Sequence, residues 1–149
     1  PTRIEQFRGQ WLYLSQENQS KLSADVDADN LNNRLGMDVI VGDRVWSVEN
    51  KFRVRLGPLT YPQFRRFTPF GDRLHGLGQF VRTYVGPEFD FEFQPILRAA
   101  EVPPCRLGAG GADPSYLGWN TWLTSGTRER DADEPAFTSD GDPNPDSNQ

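Results

Sequence analysis

Cysteine, histidine and methionine are nearly absent from this chain of 149 residues, which contains one of each. The single cysteine, Cys105, excludes a framework of disulfides within the chain, so nothing points to an oxidising compartment. Long apolar runs are also missing, because no stretch approaches the roughly 20 apolar residues of a membrane-spanning helix. The composition therefore predicts a globular protein, and a cytosolic location fits it best.

Patterns that carry catalytic or metal chemistry are missing as well. The chain has no P-loop, dinucleotide fingerprint, zinc spacing or Ser/His/Asp arrangement. The acidic segment Asp25–Asn30 resembles the start of a calcium loop, but the glycine and glutamate that such a loop needs further along are not there. A hydrolase site built on His75 and Asp72, or a dyad of His75 with Cys105, has no supporting motif. We predict no catalytic residue, no metal site and no cofactor, and so no enzyme.

Two segments have the alternation that is typical of a β-strand with one apolar and one charged face. Basic residues alternate with apolar ones in Lys51–Leu56, and acidic residues alternate with phenylalanine in Phe89–Phe93. Opposite charges on neighbouring strands stabilise a sheet by roughly 0.2–1 kcal/mol per pair. We therefore expect the two strands to lie side by side, with Arg53 and Arg55 facing the two acids.

The spacing of apolar residues predicts a helix over 72–85, ending at Gly86-Pro87 and capped by Asp72. A shorter helical turn is predicted over Pro62–Phe67, with Thr60 as its cap. The residues expected on the buried face of the longer helix recur three and four positions apart: Leu74, Leu77, Phe80, Val81 and Tyr84.

These elements predict an α+β fold with a mostly antiparallel sheet, one or two short helices and a disordered C-terminal tail. The folded domain is placed at residues 1–123. The tail, residues 124–149, is acidic and nearly free of large apolar side chains, which is the composition of a disordered segment.

Charge is distributed unevenly along the chain. The formal net charge is −5, yet the segment from Lys51 to Arg82 has seven basic residues against one acid. Its interleaved aromatic residues allow an alternative function, a nucleic-acid-binding module that uses phosphate contacts and stacking. The acidic balance of the whole chain favours ion pairs within the fold or an acidic partner instead.

Short phrases follow one another in a characteristic order along residues 4 to 123, among them Lys51-Phe52-Arg53, Leu56-Gly57-Pro58-Leu59, Leu117-Gly118-Trp119 and Trp122-Leu123. As a series, they resemble the C-terminal half of TssG, also called ImpH or VasB. Members of this family are baseplate proteins of the bacterial type VI secretion system. Members are considerably longer than this chain, which begins with Pro1 and is expected to lack their N-terminal half. They usually end soon after the last matching phrase, so the acidic tail is a departure. The structural signature residues are Trp46, Phe52, Leu56, Gly57, Pro58, Gly118, Trp119 and Trp122.

The resemblance implies a structural subunit that joins TssF-like subunits into a wedge and docks TssK-like adaptors. It also implies a bacterial cytoplasmic protein at the inner face of the envelope, connected to the membrane only through the adaptor, with no small-molecule substrate. Two proline-containing segments, Tyr61–Phe70 and Pro103–Tyr116, are candidates for partner binding. The alternative that they are plain connections stays open. Their candidate residues are Tyr61, Phe64, Phe67, Phe70, Pro103, Pro104 and Tyr116.

Overall fold

The structure is a computed structural model that describes residues 1–20, 36–37, 39–105, 115–116, 118–123, 126 and 128–138. The chain divides into two units, a core unit of Pro1–Arg8 with Asn50–Gln149 and an inserted unit of Gly9–Glu49. Within the core unit, the Arg8 amide donates a hydrogen bond to the Lys51 carbonyl at 2.9 Å. The insertion therefore leaves and re-enters the core unit at neighbouring points.

The core unit contains a four-stranded sheet, and two helices connect its two central strands along the chain. The order of the strands in the sheet is β1 (Thr2–Glu5), β4 (Lys51–Leu59), β5 (Asp90–Leu97) and β6 (Phe137–Thr138). The central strands β4 and β5 are parallel, and both outer strands pair antiparallel with their neighbours. Parallel neighbours need a crossover connection, which the two helices supply. The helical elements of the core unit are α1 (Tyr61–Arg66), α2 (Leu74–Val85) and a 3₁₀ turn (Ala99–Glu101).

The inserted unit is an antiparallel ribbon of β2 (Gln10–Tyr13) and β3 (Arg44–Ser47). Three of the four strand pairings among the described residues are thus antiparallel. The predicted α+β fold with a mostly antiparallel sheet is confirmed. The predicted placement of β4 beside β5 is also confirmed.

Both predicted helices form, with different details at their starts. Thr60 begins α1 as predicted, because its amide donates to Gln63 Oε1 at 3.1 Å and its carbonyl accepts from the Phe64 amide at 2.8 Å. The predicted capping of α2 by Asp72 is wrong. Asp72 instead receives two hydrogen bonds from the Arg66 guanidinium, at 2.9 and 2.7 Å, and α2 begins at Leu74 without a side-chain cap.

The buried face of α2 differs from the prediction at two positions. Phe80 and Tyr84 are 72% and 87% exposed, whereas Leu74 and Gly78 are buried. Leu74 packs in the core cluster with residues of the sheet. Gly78 carries no apolar side chain, so a hydrophobic pattern does not reveal that it lies on the packed face. Its presence there moves the centre of the buried stripe away from Phe80 and Tyr84.

In the part of the chain that the structure describes, two clusters of buried side chains form the core. The first lies between the sheet and α2 and contains Val54, Leu56, Leu74, Phe91, Phe93 and Phe137. The second lies beside α1 and contains Phe64, Leu97, Trp122 and Ala132. Because both clusters take a member from the segment after residue 124, that segment contributes to both parts of the core.

Residues 128–138 therefore correct the prediction that the chain is disordered from 124 onward. Phe137 is fully buried and pairs with Phe93, and the amide and carbonyl of Ala132 both hydrogen-bond to Leu97. The segment is polar on average, so its composition does not reveal that Ala132 and Phe137 are buried. The remainder of the predicted tail lies largely outside the described residues, and the domain boundary at 123/124 stays a prediction.

Candidate protein-binding surface

Most aromatic residues of the first candidate segment belong to the core. Phe64 on α1 is fully buried and its ring centroid lies 5.7 Å from that of Trp122. Phe67 packs against the first core cluster, and Tyr61 packs against the second. Phe64 is thus a core residue in this structure rather than a surface residue. The proline content that made this segment a candidate does not distinguish a core side chain from a binding side chain.

The exposed ends of the two candidate segments come together. Phe70, which is 64% exposed, lies 4.4 Å from Tyr116 and 4.7 Å from Trp119, measured between ring centroids. Tyr116 is 38% exposed, and its ring centroid is 5.8 Å from that of Trp119. We call Phe70, Tyr116 and Trp119 the aromatic patch. The sequence named all three, but not their contact.

Short-range hydrogen bonds hold the aromatic patch in place. The Thr68 hydroxyl donates to the Arg65 carbonyl at 2.8 Å, which closes the turn before Phe70. On the other side, the Trp119 and Asn120 amides donate to the Tyr116 carbonyl at 3.2 and 3.3 Å. The Asn120 side chain in turn accepts from the Tyr116 amide at 2.7 Å. The patch is therefore built on two closed turns.

The other residues of the second candidate segment are less informative. Pro103 is half-buried, and Pro104 is exposed and forms a bridge with Trp122. Residues 106–114 and 117 lie outside the described residues, as do residues 21–35, which include the acidic segment considered for calcium.

A second aromatic surface, on the inserted unit, was not predicted. Trp11 lies opposite Trp46 across the ribbon, with ring centroids 5.2 Å apart, and the guanidinium of Arg44 lies 5.2 Å from the Trp11 ring. Tyr13 is opposite Arg44 on the same face. We call these four residues the ribbon face. Strand alternation in Gln10–Tyr13 would have placed Trp11 and Tyr13 together.

The signature residues mainly shape the core unit. Gly57 has φ of 136°, and a Cβ there would lie 2.6 Å from the Ile96 carbonyl oxygen, so β5 passes too close for a side chain. Pro58 follows it within β4. Phe52 stacks on Phe91 at 5.6 Å, and Leu56 is buried. Trp46 is the exception, since it is exposed on the ribbon face.

The polar face of β4 and β5 carries a buried group of charges. Glu92 is 3% exposed, its carboxylate lies 3.3 Å from Lys51 Nζ, and it accepts hydrogen bonds from Arg53. The ion pair between Arg53 and Glu92 confirms part of the predicted contact between the strands. The prediction for Arg55 is wrong, because Arg55 binds Glu5 at 2.7 Å and Asp133 at 2.9 Å instead. In the parallel register, Arg55 lies opposite Gln94.

Most of the predicted basic segment is bound within the fold. Arg66 and Arg73 pair with Asp72. Arg82 donates to the Gly86 and Phe89 carbonyls and lies over the Phe91 ring at 4.7 Å. Nucleic-acid binding needs cations that are free to contact phosphates, so this arrangement disfavours the alternative function.

Among the described residues, three carboxyl groups have lowered pKa values. The hydrogen bond from Arg55 lowers the pKa of Glu5, and that from Arg66 lowers the pKa of Asp72 to about 2. Burial raises the pKa of Glu134, but hydrogen bonds from Arg128, from a backbone amide and from Trp122 outweigh it and lower the pKa overall. Each shift has a structural ion pair or hydrogen bond as its cause.

The residues considered for catalysis have ordinary surroundings. His75 is exposed on α2, with its Nε2 atom 2.9 Å from Gln79 Nε2. Among the described residues, no group of three or more His, Cys, Asp or Glu side chains is placed to hold a metal ion. In the same part of the chain, no helix has the length and apolar character needed to span a membrane.

Comparison with known proteins gives one structural match and one family. No curated protein matches the chain. A chain of the solved structure described as the type VI secretion system TssK-TssF-TssG baseplate subcomplex is similar to it, with a TM-score of 0.62 and 16% sequence identity. The match covers 92% of this chain and 55% of that one, so this chain spans about half of its structural relative. The family model described as "Type VI secretion, TssG" matches residues 1–124, and the chain therefore belongs to the TssG family of type VI secretion proteins.

Proposed function

We propose that this protein is a non-enzymatic structural subunit of a type VI secretion baseplate, which joins TssF-like subunits into a wedge and docks TssK-like adaptors. Family membership supports the baseplate role, and the structural relative comes from a complex whose description names TssK, TssF and TssG. A location in the bacterial cytoplasm at the inner face of the envelope, with membrane contact only through the adaptor, belongs to the same proposal.

The aromatic patch is the proposed binding surface, and it is the observation that carries the assignment to protein binding. Aromatic residues dominate the energetics of protein interfaces because they bury a large area at a small cost in side-chain entropy. Phe70 and Tyr116 are exposed, yet their backbones are fixed by closed turns. A rigid, exposed aromatic group pays little entropy when a partner covers it.

Proline placement supports the same surface. Pro69 precedes Phe70 and restricts the backbone conformation of the chain as it enters the patch. Gly71 follows, with its amide bound to the Thr68 carbonyl at 2.8 Å. The turn that presents Phe70 is therefore stiff on both sides.

Co-expression with TssF-like and TssK-like proteins from the same bacterium tests the proposal. The full chain should co-purify with at least one of them at physiological salt. Phe70→Ala with Tyr116→Ala should weaken that recovery by about tenfold or more, since interface hot spots contribute about 2 kcal/mol or more. Phe80→Ala is the matched control, because Phe80 is an exposed aromatic residue outside the patch.

Two results would overturn the proposal in different parts. If the unaltered chain recovers neither partner, the baseplate function fails. If the chain recovers a partner and the double variant does so equally well, the function stands and the aromatic patch is not its surface. Separate measurements with each partner then show which of the two the patch contacts.

A further inference from the structure

The segment 128–138 connects the edge of the sheet to the aromatic patch. We call it the C-terminal strap. It lies beyond residues 1–124, which the family model matches. The sequence suggested no role for it, and the comparison assigns none.

One side of the strap is fixed to β5. Ala132 exchanges two backbone hydrogen bonds with Leu97, at 2.9 and 2.8 Å, and Phe137 pairs with Phe93 in the strand ladder. Between these points, the Gln94 side chain donates to the Asp133 carbonyl, and Arg55 pairs with the Asp133 carboxylate at 2.9 Å. The strap is thus anchored at several positions along the strand.

The other side of the strap contacts the two tryptophans that end the family-matched region. The buried Phe137 ring meets the Trp119 ring edge-to-face, with centroids 6.0 Å apart. Glu134 accepts a hydrogen bond from the Trp122 indole at 3.1 Å and is itself held by Arg128. Trp119 is the member of the aromatic patch whose ring also contacts the strap, and it touches both Phe70 and Tyr116.

We propose that the C-terminal strap positions the aromatic patch for its partner, with Phe137 as the positioning residue that acts through Trp119. This inference rests on the proposed function of the patch. Phe137 is fully buried, so it cannot itself contact a partner. Its ring packs edge-to-face against the Trp119 ring, and the Trp119 ring in turn packs against the rings of Phe70 and Tyr116.

Phe137→Leu tests the proposal, with Phe93→Leu as its matched control. Both residues are fully buried phenylalanines in the same core cluster and lie opposite each other in the ladder. Of these two phenylalanines, Phe137 forms a ring pair with Trp119, whereas the ring pair described for Phe93 is with Phe91. An edge-to-face aromatic pair changes an equilibrium constant by a factor of roughly three to ten. Phe137→Leu should therefore raise the dissociation constant of the partner by about that factor. Phe93→Leu should destabilise the protein as much as Phe137→Leu does. It should nevertheless leave the dissociation constant of the partner within about twofold of the value for the unaltered chain.

Hydrogen exchange of the Trp119 and Asn120 amides gives a second readout that needs no partner. Both amides are bound to the Tyr116 carbonyl, so they report the order of the patch. Phe137→Leu should speed their exchange relative to the rest of the core, and Phe93→Leu should not. If Phe137→Leu does not fold, Glu134→Ala takes its place in this measurement. This substitution removes the acceptor of the Trp122 indole at an exposed site, and it should also speed the exchange of the two amides.

The outcomes separate this inference from the proposed function. Unchanged exchange of these amides in Phe137→Leu or Glu134→Ala would overturn the positioning role, whatever the partner does. Faster exchange in a chain that binds no partner would support the positioning role and refute the proposed function. Equal loss of affinity in the two leucine variants would mean that the strap acts only through stability, which also overturns the inference.

Discussion

At the scale of single residues, one buried carboxylate organises the polar face of the sheet. Glu92 lies among Lys51, Arg53 and, at 4.0 Å, Arg8. Lys51 is itself buried, so both sides of this pair have given up hydration. A buried ion pair contributes little net stability when intact, but the loss of one partner leaves an uncompensated charge.

Glu92→Gln should therefore destabilise the protein strongly. We expect the free energy of unfolding to fall by about 3–5 kcal/mol, because Lys51 and Arg53 would keep their charges without a buried counterion. Asp90→Asn is the control, since Asp90 is an exposed acid on the same strand. Its effect should be within about 0.5 kcal/mol. Denaturant unfolding of both variants measures the difference, and equal losses would contradict the role given to Glu92.

A second residue-scale prediction concerns pH. The hydrogen bonds from Arg66 lower the pKa of Asp72 from 3.8 to about 2. A lowered pKa in the folded state stabilises the protein above the unfolded value, and this contribution is lost as the pH falls through the folded value. Arg66→Ala should raise the carboxyl titration midpoint of Asp72 toward 3.8, as followed by NMR. A midpoint that stays near 2 would show that Arg66 is not the cause.

At the scale of elements, the sequence predicted most pieces of the core unit, because their patterns are local. Thr60 and Pro62 mark the start of α1, and the alternation in Lys51–Leu56 marks β4. Charge complementarity even placed β4 beside β5. The parallel register could not be predicted, since it depends on how α1 and α2 return the chain, and that register is what separates Arg55 from Glu92.

The elements that were missed depend on contacts between distant residues. The aromatic patch joins Phe70 to Tyr116 across a large sequence separation, and neither neighbourhood contains a signal for the other. The strap at 128–138 has the composition of a disordered tail, and its order comes from partners far away in sequence, on β5 and at Trp119 and Trp122. The buried stripe of α2 was misplaced because Gly78 has no side chain to count.

The corrected face of α2 gives an element-scale prediction. Phe80→Ala and Tyr84→Ala should each change the free energy of unfolding by less than about 0.5 kcal/mol, because neither side chain is packed. Leu74→Ala, on the buried face of the same helix, should cost about 2–5 kcal/mol. Thermal or denaturant unfolding of the three variants measures the contrast. A large loss of stability in Phe80→Ala would contradict the observed buried face and support the face that the sequence predicted.

At the scale of the whole molecule, the chain is a core unit with an insertion. The core unit contains the sheet, the two core clusters and the aromatic patch, and the inserted unit contains the ribbon face. The core unit receives the insertion between β1 and β4, which are already paired from Thr2 with Leu56 to Glu5 with Arg53. The two ends of the insertion therefore need only a short connection.

Replacement of Gly9–Glu49 by a short Asn-Gly turn should leave the core unit folded. The Arg8 amide is bound to the Lys51 carbonyl at 2.9 Å, so the two strands already approach as in a hairpin, where such turns are favoured. Shorter connections also cost less closure entropy, about 0.6 kcal/mol for each halving of length. We expect one cooperative unfolding transition with a midpoint equal to or above that of the full chain.

The same excision separates the two aromatic surfaces. If the aromatic patch is the binding surface, the excised chain should still recover the partner that the Phe70 and Tyr116 substitutions disrupt. If it folds cooperatively but recovers no partner, the ribbon face is required and the patch alone is insufficient. Trp11→Ala with Trp46→Ala in the full chain is then the matching test, because both rings are exposed and their removal leaves the core unit intact. Failure of the excised chain to fold would instead show that the core unit depends on its insertion.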